Sequence, residues 1–173
     1  GEMKIKVLAY SICIFVITLL QSTIIDYIKI MNVKPNLLLA FIVVVAILRG
    51  NVEGTVIGFI CGLCHDVISG KMIGVFALLG LYIGLLIGSV NKRLYRENVL
   101  IAVFFTFVST FVYEYVFYFF NLFLRGKGDL IFPLKNVILP EAVYNSVLSI
   151  LIFIIMIKLH YTFEEASRTS RKY

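Results

Sequence analysis

The chain has 173 residues, 61% of them hydrophobic and 15% charged, with a mean hydropathy of +0.99. Soluble domains carry roughly 25% charged residues, so the composition points to an integral membrane protein. It excludes a soluble enzyme, a nucleic-acid-binding domain and a secreted disulfide scaffold. A helix that crosses a bilayer needs about 20 apolar residues, so six of them would use roughly 120 and leave no length for a separate catalytic or ligand-binding domain. The net charge of +6 then reads as basic loops beside anionic headgroups, not as a nucleic-acid surface.

Gly1-Glu2 reads as a cloning remnant ahead of a native Met3. The first apolar stretch, Val7–Ile25, lacks a small-residue cleavage site and reads as a retained span. The second is Leu37–Leu48, entered through Pro35-Asn36, and the third is Val52–Ile68, after the turn Arg49-Gly50-Asn51. Both are short, so they form either a pair of spans or a re-entrant hairpin. The fourth is Met72–Val90 and the fifth Val99–Leu124. The sixth is Leu139–Leu159, with Pro140 in its first turn, where proline is tolerated. Residues 3–163 read as one all-α domain, a compact bundle of six transmembrane segments, and residues 164–173 as a basic cytoplasmic tail.

With the N-terminus inside, the inner side collects Lys4, Lys6, Arg49, Lys92, Arg93, Arg96, Lys158, Arg168, Arg171 and Lys172. The outer side collects Lys29, Lys34, Lys71, Arg125, Lys127 and Lys135. Ten against six favours N-in and C-in. The one sizeable outer loop is Arg125–Ile138.

Polar side chains inside a bilayer are costly and are functional candidates by default. At 1.5 Å per residue, Gln21 lies roughly 22 Å above the inner end of its span, with Glu114 at a similar height in the fifth. Asp66 closes the third span on the outer side. Tyr144 and Asn145 sit just inside the outer end of the sixth, and Pro35-Asn36 begin the second. These groups share the outer half, whereas the inner half reads as nearly all apolar. The cluster is either an outward-facing pocket or docking surface, or a set of bonds tying helix ends together.

Gly50, Gly54, Gly58 and Gly62 recur every four residues, and the fourth segment repeats the device with Gly80, Gly84 and Gly88. Such ridges let helices approach closely in membranes, and Gly70 and Gly74 are counted with Gly50–Gly62 as helix-packing glycines. They serve either packing of the third helix on the fourth or reception of a partner's helix. The fifth segment carries aromatics on every face, from Phe104 to Phe123, and reads as a bundle edge in contact with lipid or with a partner's helix.

Cys61-Gly62-Leu63-Cys64-His65 matches the C-x-x-C-H pattern of covalent haem attachment. It continues an apolar, glycine-ridged helix, whereas attachment needs an accessible translocated segment. A zinc site needs four ligands, and His160 is far from His65. No cofactor or metal is therefore expected. There is no Ser-His-Asp set, no H-E-x-x-H and no phosphate loop, so the chain reads as non-enzymatic.

The motifs form an order: Gln21-Ser22, then Pro35-Asn36-Leu37-Leu38, then Arg49-Gly50. A G-F-x-x-G-L-x-x-D-x-x-S-G-x-x-x-G string follows from Gly58 through Asp66, Ser69 and Gly70 to Gly74, and Leu139-Pro140 with Tyr144-Asn145 completes the set. This order resembles the bacterial rod shape-determining protein MreD family over nearly the whole chain. The family commonly has Pro-Asp at Pro35-Asn36 and Pro-Gln at Pro140-Glu141. The resemblance implies a bacterial inner-membrane scaffold of the cell-elongation machinery that binds MreC. Through MreC it would couple MreB filaments to RodA, to its class B penicillin-binding protein and so to peptidoglycan synthesis. The substrate-binding S components of energy-coupling-factor vitamin transporters are similar in size and in polar outer half, and the two families are expected to share a helical fold. The absence of Trp and the few polar groups argue against a vitamin pocket.

Overall fold

The structure is a computed structural model that describes residues 2–23, 27–28, 33–70, 73–91, 98–125 and 137–172. Most of the expected outer loop (126–136) and the basic run 92–97 lie outside the described residues. The described residues form six helices and no strand: α1 (Glu2–Ser22), α2 (Leu37–Arg49), α3 (Asn51–Ser69), α4 (Val75–Ser89), α5 (Val99–Arg125) and α6 (Leu139–Lys172). Four of them, α1, α3, α5 and α6, are long and apolar enough to cross a membrane.

α2 is the axis of the bundle. It has 13 residues, about 20 Å of helix against a hydrocarbon core of about 30 Å. It touches all five other helices, and every residue from Leu38 to Leu48 is buried. A helix apolar on all sides has no face for water and is stable where it is enclosed. Enclosure also explains why the run Ile42-Val43-Val44-Val45, weak in helix propensity, is helical.

α3 and α4 form an antiparallel hairpin through their glycines. A Cβ on Gly58 would stand 2.1 Å from the Gly80 carbonyl oxygen, and one on Gly84 would stand 2.0 Å from that of Gly54. Gly62 faces the backbone of Phe76 and Ala77, and Gly88 that of Gly50 and Asn51. The two ridges therefore face each other. Gly70 and Gly74 are not part of that ridge: a Cβ at either meets nothing within 4 Å. Both adopt left-handed backbone, at φ +63° and +105°, where the chain leaves α3 and enters α4. Glycine is the residue that does this without steric cost. Gly50 likewise breaks α2 from α3 at φ +97°, beside the Asn91 side chain.

α4 begins at Val75 with Gly74 at its N-cap, and the expected start at Met72 lies outside the described residues. The helix that carries the sixth segment continues past Leu159: α6 runs 34 residues to Lys172, roughly 51 Å. No glycine or proline follows Pro140 in α6, and Phe163, beyond the expected end, is buried.

Candidate functional site: polar junctions at the two ends of the bundle

The first junction gathers at the start of α2. Pro35 has no N–H, and the residues that open a helix leave backbone donors without intrahelical partners. Asn36 caps the helix: its Oδ1 accepts from Leu39 N–H at 3.0 Å. Gln21, at the end of α1, bridges the same turn. Its Nε2 donates to the Pro35 carbonyl at 3.0 Å, and its Oε1 accepts from Leu37 N–H at 2.8 Å. From α6, Asn145 Oδ1 accepts the Asn36 N–H at 2.6 Å, and Asn145 Nδ2 donates to Thr110 Oγ1 of α5 at 3.0 Å. One helix start thus collects side chains from α1, α5 and α6.

α3 joins through His65. Asn36 Oδ1 is committed to Leu39, and its Nδ2 lies 3.4 Å from His65 Nδ1, with the Tyr113 hydroxyl 3.3 Å from the same nitrogen. The His65 ring is stacked on Phe76 at 4.0 Å, with Tyr113 and Phe117 continuing the stack. Cys61 is buried beneath it and Cys64 is half-buried, both as free thiols. Among the described residues no group of three His, Cys, Asp or Glu side chains could hold a metal ion.

Asp66, wholly buried, caps a helix other than its own. Its Oδ2 accepts from Gly74 N–H at 2.8 Å and Ala77 N–H at 3.1 Å, and its Oδ1 from Phe76 N–H at 3.0 Å. A carboxylate at a helix N-terminus satisfies orphan donors and meets the positive end of the helix dipole. The D-x-x-S-G-x-x-x-G part of the string is therefore a hairpin device: Asp66 caps α4, Ser69 Oγ donates to the Asp66 carbonyl at 3.3 Å, and Gly70 and Gly74 turn the chain.

The other named residues lie around this junction. Glu114 and Glu141 hydrogen-bond each other across α5 and α6, and Glu141 also bonds Asn145. Ser22 is exposed and donates to the Leu19 carbonyl of its own helix at 3.2 Å. Tyr144 donates to the Ile28 carbonyl at 2.5 Å, outside the Asn36 network.

At the opposite end, two of the basic residues that the sequence counts on the inner side, Lys6 and Arg49, join a bonded cluster. Arg49 grips Glu53 with two bonds, Nε to Oε2 at 2.9 Å and Nη2 to Oε1 at 3.0 Å. Lys6 reaches the same carboxylate at 3.2 Å and the Tyr10 hydroxyl donates to it. Arg49 Nη1 also donates to His160 Nδ1 at 3.1 Å and to Glu164 at 2.9 Å, and its guanidinium lies 5.3 Å from the Phe163 ring centre. Arg49 counted as a loop charge in the sequence. The signal that could have revealed the pair is the i, i+4 spacing of Arg49 and Glu53.

Between the junctions the surface is apolar. A groove of about 470 Å³ runs between α1 and α3, lined by Val7, Ile14, Phe15 and Ile60 among others. A second, of about 270 Å³, separates α1 from α2 and α6. A third, of about 460 Å³, lies between α5 and α6. This arrangement locks helix ends and offers no set of nucleophile, base and oxyanion donors among the described residues.

Comparison with known proteins bears on the same residues. Neither curated proteins nor solved structures returned a match. The family described as rod shape-determining protein MreD matches residues 3–163, a span that contains the Gln21, Asn36, Arg49, Asp66 and Asn145 positions. The chain belongs to the MreD family of rod shape-determining proteins.

Proposed function

We propose that this protein is a non-enzymatic scaffold of the bacterial cell-elongation complex, in the cytoplasmic membrane with both termini inside. In this reading it carries six membrane segments, α2 and α4 being short ones within the bundle. It binds MreC directly and so helps couple MreB to RodA, to the class B penicillin-binding protein and to peptidoglycan synthesis at the outer face. The observation that carries the reading is how the costly polar side chains are used. Asp66, Asn36, Asn145, Gln21 and Arg49 all bond other helices, which makes a rigid body whose free surface is apolar and grooved. Such a surface suits van der Waals packing of a single-span partner's helix. Ten of the sixteen basic residues fall on the side assigned to the cytoplasm, in keeping with the positive-inside rule.

The test is co-expression with the MreC homologue of the same organism, extraction into lipid nanodiscs and affinity purification of one member. Stoichiometric recovery of the pair is expected. Absence of association in native membranes, together with tight binding of a vitamin, would replace the scaffold with a transporter S component.

A further inference from the structure

We infer that the C-terminal part of α6 is a docking arm for the acidic surface of a cytoplasmic protein, rooted by Arg49 and presenting Arg168 and Arg171. The inference rests on the cytoplasmic placement of the Arg49 end proposed above.

Length gives the first argument. α6 has 34 residues, roughly 51 Å, against the ~30 Å that a hydrocarbon core requires. The surplus is at its C-terminal end, where the root is built. Phe163 is 1% exposed; its ring packs edge-on to Tyr10 at 5.4 Å and lies against the Arg49 guanidinium. His160 and Glu164 bond Arg49 on the same side. Through Glu53, Arg49 also joins α1 and α3, so the arm leaves a fixed base.

Register gives the second. At 100° per residue, Arg171 lies within about 20° of His160, and Arg168 about 40° from Glu164. Both arginines therefore continue the rooted face, about 12 Å and 16 Å farther along the axis than His160, and both are exposed. They overhang the end of the bundle.

The partner's chemistry follows from what the arm lacks. Residues 164–171 read Glu-Glu-Ala-Ser-Arg-Thr-Ser-Arg and contain no large apolar side chain. A helix that lies in a lipid interface needs an apolar face to sink, and this one has none. Glu164 is matched by Arg49 and Glu165 offsets one positive charge, so Arg168, Arg171 and Lys172 leave the tip net basic. Two guanidiniums carried on one rooted helix favour carboxylates, which they bind in bidentate geometry.

The experiment uses the full chain with a photo-crosslinking benzoyl-phenylalanine at Ser167, on the arginine face. Illumination in native membranes is expected to give an adduct with a water-soluble protein, lost in Arg168→Glu/Arg171→Glu at equal chain abundance. In neutral phosphatidylcholine nanodiscs, a fluorescent dodeca-glutamate peptide is expected to bind the double variant at least tenfold more weakly than the parent. Adducts with phospholipid only, adducts that survive the charge reversal, or equal peptide affinity would each overturn the arm. MreC recovered with the double variant, its adduct absent, would leave the scaffold reading intact. An arm adduct without MreC association would do the reverse.

Discussion

Replacing Asp66 tests the hairpin device most directly. The carboxylate is wholly buried and receives three backbone donors at 2.8, 3.0 and 3.1 Å. In Asp66→Ala all three N–H groups lose their acceptor; those of Phe76 and Ala77 are buried, and that of Gly74 is part-buried. A buried donor left unsatisfied costs about 1–3 kcal/mol, so the two buried donors together give roughly 2–6 kcal/mol. Relaxation of the α4 start brings the expectation to about 3–5 kcal/mol, the scale of other broken buried charge contacts. That is a large share of the ~5–15 kcal/mol available to a typical fold. Asp66→Asn keeps one oxygen for two of the donors but turns its N–H₂ toward the third, so a loss of about 2–3 kcal/mol is expected. Ser69→Ala removes a single bond of 3.3 Å and should cost under about 1 kcal/mol.

The assay is already in the chain. Cys61 is wholly buried as a free thiol close to the α3–α4 contact, so in a Cys13→Ser/Cys64→Ser background, which removes the two half-buried thiols, a thiol-reactive fluorophore reports its exposure as detergent-solubilised protein is heated. The expected order of melting temperatures is wild type, Ser69→Ala, Asp66→Asn, Asp66→Ala. Parity of Asp66→Ala with Ser69→Ala would refute the account and return Asp66 to the status of an available site residue.

Three further substitutions probe other joints. Gly58→Ala sets a methyl 2.1 Å from the Gly80 carbonyl oxygen; the helices must part by about 1 Å, and a loss near 3 kcal/mol is expected, against about 1–2 kcal/mol for Gly70→Ala, where only left-handed backbone is strained. Equal melting temperatures for the two would contradict the close approach. Arg49→Ala leaves Glu53 with Lys6 and Tyr10 and should cost about 1–3 kcal/mol, less than a fully buried pair because Glu53 is partly hydrated. A spin label at Thr169 should also become mobile, and an unchanged spectrum would show that the arm is not rooted there. Asn145→Ala orphans the Asn36 N–H, with an expected cost of about 1–3 kcal/mol and faster amide exchange at the start of α2; unaltered exchange there would break the link between α6 and α2.

What the sequence reveals divides along a physical line. Hydropathy and glycine spacing depend on composition over a window, and they indicate six apolar segments and two ridges correctly spaced to meet. Gln21, Asn36 and Asn145 also stand out, because an amide in an apolar run is expensive wherever it points. Direction is another matter. Asp66 looks like a pocket carboxylate until the three backbone donors of α4 appear around it, and those donors have no residue type that a sequence could flag. Gly70 and Gly74 share a four-residue spacing with the ridge, yet φ, not packing, requires them. Arg49, in a turn, looks solvated, whereas its partners His160 and Glu164 come from more than 100 positions away. The end of α6 was invisible for the same reason: a polar sequence continues as helix once Phe163 and Glu164 have a base to pack on.

The use of the motifs changes what a loss of function at them would mean. Gln21, Pro35-Asn36, Arg49-Gly50, Asp66, Ser69, Gly70, Gly74 and Asn145 are the positions that a functional screen would strike first. In this structure each one closes a bond or a turn between helices. A defect at any of them is therefore first a defect of the bundle, and it would weaken every partner contact together. The surfaces free to distinguish one partner from another are elsewhere: the apolar flanks of α1, with Leu8, Ile12 and Phe15 exposed, the aromatic edge of α5 and the tip of α6. A substitution that keeps the melting temperature but loses a partner should fall on these faces, and one that lowers both should fall on the motifs. Interface residues are then found by sorting variants on stability before sorting them on cell shape.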